Sequence, residues 1–302
     1  MTVDSAEILV GGDWQHRFVA ANGARFHVVE SGEGPLVMLL HGFPQFWWAW
    51  RAQIPALARA GYRVAAMDLR GYGASDKPPR GYDTLTLAAD VAGVIKGLGE
   101  TDAVIVGHDW GAWIAWSMPS LQPRVTTAIG VLSMGHPLTM RVSMGRRRQR
   151  QALPRLLSFQ LPFLPERRFT RGDGVAEVLA AWAGPGFPDA ATTDRYRRAM
   201  QLPSVSHTSM EYYRWAVRSA FGRRDGRTFA AAIDRPIDVP ILQLHGGLDP
   251  WVLPETAAVS RRWADGPLTA RVLPGAGHFL PEEAPDEVTA RLLEWLPTLP
   301  RE

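Results

Sequence analysis

The chain of 302 residues has no cysteine, which excludes disulfides, thiolate nucleophiles and cysteine-ligated zinc together and suits a cytoplasmic address. Long apolar runs are also missing: none reaches the ~18 residues that span a bilayer, so no membrane partner is expected. The opening MTVDSAEILVGGDW has neither the basic start nor the apolar middle of a secretory signal. Charge is sparse: 21% of residues are charged against 46% hydrophobic, with a net charge of only +3. That is the balance of an ordinary globular protein, long enough to bury a sizeable core. Internal repeats and low-complexity segments are absent. The basic residues are nearly all arginine and are densest in RRRQR at 146 to 150. No aromatic platform or binding motif accompanies them, so a solvated surface is expected there and no nucleic-acid partner.

What is present is an alternation of strand-like and helix-like segments. Short apolar runs bounded by Gly and Pro occur at PLVMLL (35 to 40), RVAAMDL (63 to 69), AVIVGH (103 to 108) and TAIGVLSM (127 to 134). Such runs suit strands buried on both faces, in a mostly parallel, doubly wound α/β sheet. HRFVAANGARFHVVE reads as an antiparallel hairpin turning at Asn22 and Gly23. From 138 to 230 the pattern becomes arginine-rich and helical, broken by LPFLPE and GPGFPD, as in an inserted cap. The strand rhythm returns at VPILQLHG (239 to 246) and ARVLPGAGH (270 to 278), and APDEVTARLLEWL closes the chain as a helix. We therefore expect a core of 1–137 and 231–302 around a cap of 138–230.

The stretch VIVGHDWGAWIAW sets Asp109 between a buried strand and a helix start, in the pattern G-x-D-x-G. The glycines permit a sharp turn that lifts the central side chain above the sheet, with helix N–H groups behind it. A carboxylate among such donors is held ionised and can attack carbon. The plain alternative is a helix cap. HGFP follows the first buried strand, so the backbone N–H of Phe43 would pair with that of Trp110 as a two-donor hole. Downstream, Asp249 in GGLDPW and His278 in GAGHF complete the chain order nucleophile, acid, histidine. Groups at the C-terminal ends of separate strands converge on one edge of an open α/β sheet.

With these residues in view, the chain resembles the α/β-hydrolase superfamily, and within it the epoxide hydrolase and dehalogenase branch. The motifs that carry the resemblance are HGFPQ (41 to 45), DLRGYGASDKP (68 to 78), GHDWGA (107 to 112), LDP (248 to 250) and GHF (277 to 279). The resemblance implies that Asp109 attacks a substrate carbon to form an alkyl ester. Water activated by His278, with Asp249 as its partner, then cleaves the ester while Phe43 and Trp110 hold the oxyanion. It implies no cofactor, no metal, a small-molecule substrate, and a monomer or homodimer.

Epoxide opening also needs a proton donor. The resemblance points to MEYYRW (210 to 215), selecting Tyr213 with Tyr212 as the fallback, against the plain reading of aromatic packing. A second tyrosine common in epoxide hydrolases is replaced by Phe159. Tyr212, Phe159, His41 and Pro44 are expected around the substrate, with His41 and His108 holding loops by hydrogen bonds. His136 stands where some relatives carry an alternative acid, a part that a histidine does not fill. His207, Arg214 and Arg218 read as surface or cap-packing residues rather than anion ligands. The alternatives are a haloacid or haloalkane dehalogenase using the same nucleophile, and a non-catalytic ligand-binding relative. The pair of histidine and tryptophan that fluoroacetate dehalogenases carry in the cap is not found around ALPRLLSFQ.

Overall fold

The computed structural model describes residues 4–139, 149–220 and 224–300. One sheet of eight strands forms the frame: β1 (Gln15–Ala21), β2 (Ala24–Ser31), β3 (Leu36–Leu40), β4 (Arg63–Met67), β5 (Ala103–His108), β6 (Thr126–Leu132), β7 (Ile241–Gly246) and β8 (Leu268–Leu273). Their spatial order is β1-β2-β4-β3-β5-β6-β7-β8. β2 runs antiparallel to both β1 and β4, and the remaining pairs are parallel. The expected mostly parallel sheet is therefore present. Its hairpin turns at Asn22 and Gly23, whose φ values of 45° and 72° give the positive pair that a tight two-residue turn requires.

The uniformly apolar strands lie in the middle: every residue of β3, β5 and β7 is buried. β8 is the edge and alternates less cleanly, with four consecutive exposed residues. It is also shorter than ARVLPGAGH suggests. The chain leaves the sheet after Leu273, and residues 274 to 278 form the loop that delivers His278. β4 likewise ends before Asp68, because the Asp68 carboxylate accepts hydrogen bonds from the backbone N–H groups of Trp47 and Ala74 and from His27.

Residues 149 to 233 contribute helices and, among the described residues, no strand. The longest is Val205–Ala220. The last, Arg224–Ile233, continues through residue 230, so the cap limit expected there falls inside a helix. This layer is fastened to the sheet by buried polar contacts. Tyr212 Oη donates to the Arg70 carbonyl at 2.7 Å, Thr208 Oγ1 donates to the Gly71 carbonyl at 2.7 Å, and the His278 N–H donates to the Trp182 carbonyl at 2.9 Å. Tyr196 Oη donates to Glu282 at 2.6 Å, a buried carboxylate that also accepts from Gln45 and Arg51. No helix of the described residues is long and apolar enough to cross a membrane. Within RRRQR, residues 146 to 148 lie outside the described residues.

Candidate active site

Four loops at the C-terminal ends of β3, β5, β7 and β8 carry the expected residues to one place. The turn after β5 is strained. Asp109 adopts φ 49° and ψ −114°, a conformation that costs a non-glycine residue about 1–3 kcal/mol. A side chain on Gly107 would lie 2.1 Å from the Gly111 carbonyl oxygen, and one on Gly111 would lie 2.1 Å from that of Leu40. Both glycines of G-x-D-x-G are thus required by close backbone approach. The helix Trp110–Leu121 starts directly behind.

Asp109 does not cap that helix: its side chain makes no capping hydrogen bond. Oδ2 instead accepts the Phe43 N–H at 2.9 Å, while Oδ1 has no hydrogen-bond partner and lies 3.5 Å from His278 Nε2. On the other side of the ring, His278 Nδ1 donates to Asp249 Oδ2 at 2.8 Å. Asp249 Oδ1 accepts the N–H groups of Trp251 and Val252 at 2.8 and 3.0 Å, which fixes its carboxylate plane. All three side chains are buried.

Burial opposes the charge of His278, but the adjacent carboxylates of Asp249 and Asp109 outweigh it and push the imidazole up to about 10. Burial also opposes the charge of Asp109; the adjacent His278, helped by the Phe43 N–H, holds the carboxyl below its ordinary range. The resting site is an ion pair. Neighbouring His108 behaves oppositely: burial, with His278 beside it, lowers it to about 4, and its Nε2 meets the His278 carbonyl at 2.7 Å.

A cavity of about 490 Å³ opens onto Asp109, Trp110 and Tyr213, and the rest of its wall is almost wholly apolar, including Trp113, Met134 and Phe229. The Tyr213 hydroxyl and the Trp110 indole N–H are both buried without a hydrogen-bond partner of good geometry. Their rings meet edge to face with centroids 5.0 Å apart. Burial, then the charge of Asp109, raises the Tyr213 phenol well above its ordinary value, so it stays protonated.

Asp109, His278, Asp249, Phe43, Trp110 and Tyr213 are thus brought together, and Phe159 packs 4.8 Å from the Tyr213 ring. All four of the expected substrate-side residues, Phe159 included, lie off this cavity. Tyr212 is fully buried with its hydroxyl committed to Arg70, and His41 Nε2 accepts the Leu69 N–H at 3.0 Å while Nδ1 meets the Gly42 carbonyl at 2.8 Å. Pro44 is buried and does not line the cavity. His136 stacks on Trp263 at 4.2 Å, and burial lowers it to about 3. Arg214 pairs with Glu166 and Glu211, Arg218 with Glu211, and His207 lies 3.3 Å from Glu166.

The sequence reading missed Glu283. Its carboxylate accepts N–H groups from Gly277 and Phe279, on either side of His278, and from Gly184 in the helical layer. The signal available was an acid four residues after Phe279, the spacing at which a side chain folds back onto the start of a helix.

A profile of the alpha/beta hydrolase fold family matches residues 35–285. Epoxide hydrolase A of Mycobacterium tuberculosis is 35% identical, over 93% of this chain and 96% of that one. Two solved structures superpose closely. An epoxide hydrolase from an endophytic Streptomyces has a TM-score of 0.81 at 33% identity, over 95% of this chain and 96% of that one. Epoxide hydrolase A of Mycobacterium thermoresistibile has a TM-score of 0.80 at 30% identity, over 96% of this chain and 100% of that one. The strained elbow, the chain order of the acid and histidine, the sheet order and these likenesses agree: the chain belongs to the alpha/beta hydrolase fold family.

Proposed function

We propose that the protein is a cytoplasmic epoxide hydrolase, with the helical segment that begins at about residue 138 and ends with the helix Arg224–Ile233 as its cap, that opens epoxides to vicinal diols through an ester on Asp109. The observation that carries this reading is the Tyr213 hydroxyl, a buried and unpartnered proton donor on the same cavity as the free Oδ1 of Asp109. Asp109 Oδ1 attacks a ring carbon and the C–O bond breaks. The departing oxygen takes the Tyr213 proton.

Ester formation removes the charge of Asp109, one of the two that raise His278. The imidazole then gives up its proton, which restores the Tyr213 phenol, and the neutral ring becomes the base that takes a proton from water. Hydroxide adds to the ester carbonyl, the N–H groups of Phe43 and Trp110 hold the oxyanion, and collapse frees the diol and restores the carboxylate. Asp249 keeps the ring oriented throughout.

The reading matches the named epoxide hydrolases that the chain resembles over most of its length. A haloacid dehalogenase must hold a carboxylate, whereas no Lys, Arg or His is found among the described residues lining this cavity. The unpartnered Trp110 indole N–H is the one feature that favours a halide leaving group. Incubation with aryl and alkyl epoxides, fluoroacetate, chloroacetate and a haloalkane, assayed for diol and free halide together, separates the readings. Diol without halide is expected; halide without diol would replace this assignment.

A further inference from the structure

A second cavity, of about 910 Å³, lies on the far side of the short helix Leu153–Ser158. That helix is a partition. Leu153, Leu156 and Leu157 line the catalytic cavity, while Pro154, Arg155 and Ser158 line the second one, as the spacing of two opposite helix faces requires. Aromatic rings extend the partition: Phe159 and Phe169 line the second cavity and stand edge-on to Phe43, at 5.8 and 5.1 Å.

The two spaces differ in chemistry. Arg155, Arg167, Arg168 and Arg171 all line the second cavity, against one carboxylate, Glu177, that is already paired with Arg168. Arg155 Nη1 is buried with no hydrogen-bond partner, a state that folded proteins rarely leave uncompensated. In the same cavity, Leu161 and Leu164 present apolar surface that is 47% and 63% exposed to water. Guanidinium groups present planar forks of donors that fit oxyanions, and the leucines fit an alkyl chain.

We propose that this cavity is a binding site for a single-chain amphiphile with an oxyanion head, the head on Arg155 and the chain against Leu161, Leu164 and Phe169. The site is separate from the catalytic cavity and does not depend on which reaction occurs there. Carboxylate and phosphate heads share this chemistry.

Calorimetric titration of the full chain with sodium decanoate, decyl phosphate and decan-1-ol tests it. Both anions are expected to bind once per chain, at least about tenfold more tightly than the alcohol, and more weakly as salt is raised. The tighter anion identifies the preferred head. Arg155→Gln should weaken the anions about tenfold and leave the alcohol unaffected. Leu161→Glu, at an exposed position where folding is not at stake, should weaken them as well. No binding of either anion at millimolar concentration would overturn the proposal, as would anion affinities unchanged in both variants. Competitive displacement of decanoate by 1-phenyl-1,2-ethanediol would overturn it too, because the anion would then occupy the catalytic cavity.

Discussion

His278 Nε2 faces Asp109 Oδ1 across 3.5 Å without a hydrogen bond, while its other nitrogen is bonded to Asp249 at 2.8 Å. The ring is thus oriented by one carboxylate and poised beside the other. A base so placed has nothing to do until Asp109 becomes an ester. His278→Gln should therefore accumulate that ester: intact-protein mass spectrometry after incubation with an epoxide should show protein plus substrate. Unmodified protein, with an epoxide that the wild type consumes, would contradict the two-step scheme.

The same pair sets a pH signature. With both carboxylates charged, His278 is pushed up to about 10, so Asp109→Asn, which mimics the neutral ester, should lower its titration below the wild-type value. Nitrogen NMR of the imidazole reads this directly. The linkage has a definite sign: a raised folded-state pKa stabilises the fold fully below about pH 6.5, the ordinary histidine value, and the contribution is lost as pH rises towards 10. Asp109→Asn should accordingly flatten the alkaline fall in stability.

Adjacent tyrosines separate chemistry from packing. Tyr213→Phe should lower the rate of alkylation by about 10²–10⁴-fold, the range of a lost general acid, with little change in melting temperature. Tyr212→Phe removes the hydrogen bond to Arg70 and should cost about 1 kcal/mol of stability while alkylation persists. Single-turnover kinetics and thermal melts on both variants check the assignment; equal loss of rate in the two would undo it.

Strain at the elbow is measurable apart from activity. Asp109→Ala keeps a side chain at φ 49°, whereas Asp109→Gly relieves the conformation. Both should be inactive, with the glycine variant more stable by about 1 kcal/mol, seen as a melting temperature higher by about 1–2 °C. An alanine variant as stable as the glycine one would show that the turn stores no strain.

Much of this was legible in the residues themselves. Apolar runs such as AVIVGH located the buried strands because a strand covered on both faces tolerates nothing else, and Asn22-Gly23 marked its turn through a conformational demand that few residues meet. The elbow, His278 and Asp249 were legible because each pairs a chemical group with a strand end. Tyr212 and Tyr213 were not separable by pattern: one residue apart on a helix, they differ by about 100° of rotation, and only packing decides which hydroxyl meets the Arg70 carbonyl. The arginine-lined cavity was hidden for a related reason, since Arg155 and Arg171 converge only through the packing of separate helices. β8 ended earlier than its letters suggested because an edge strand has no second neighbour to enforce pairing.

The bond from the His278 N–H to the Trp182 carbonyl, reinforced by the grip of Glu283 on Gly184, makes the helical layer part of the mounting of the imidazole. A shift of the helical layer at Trp182 would therefore carry the His278 loop with it, so the aim of the imidazole is set by two layers of the fold and not by the sheet alone.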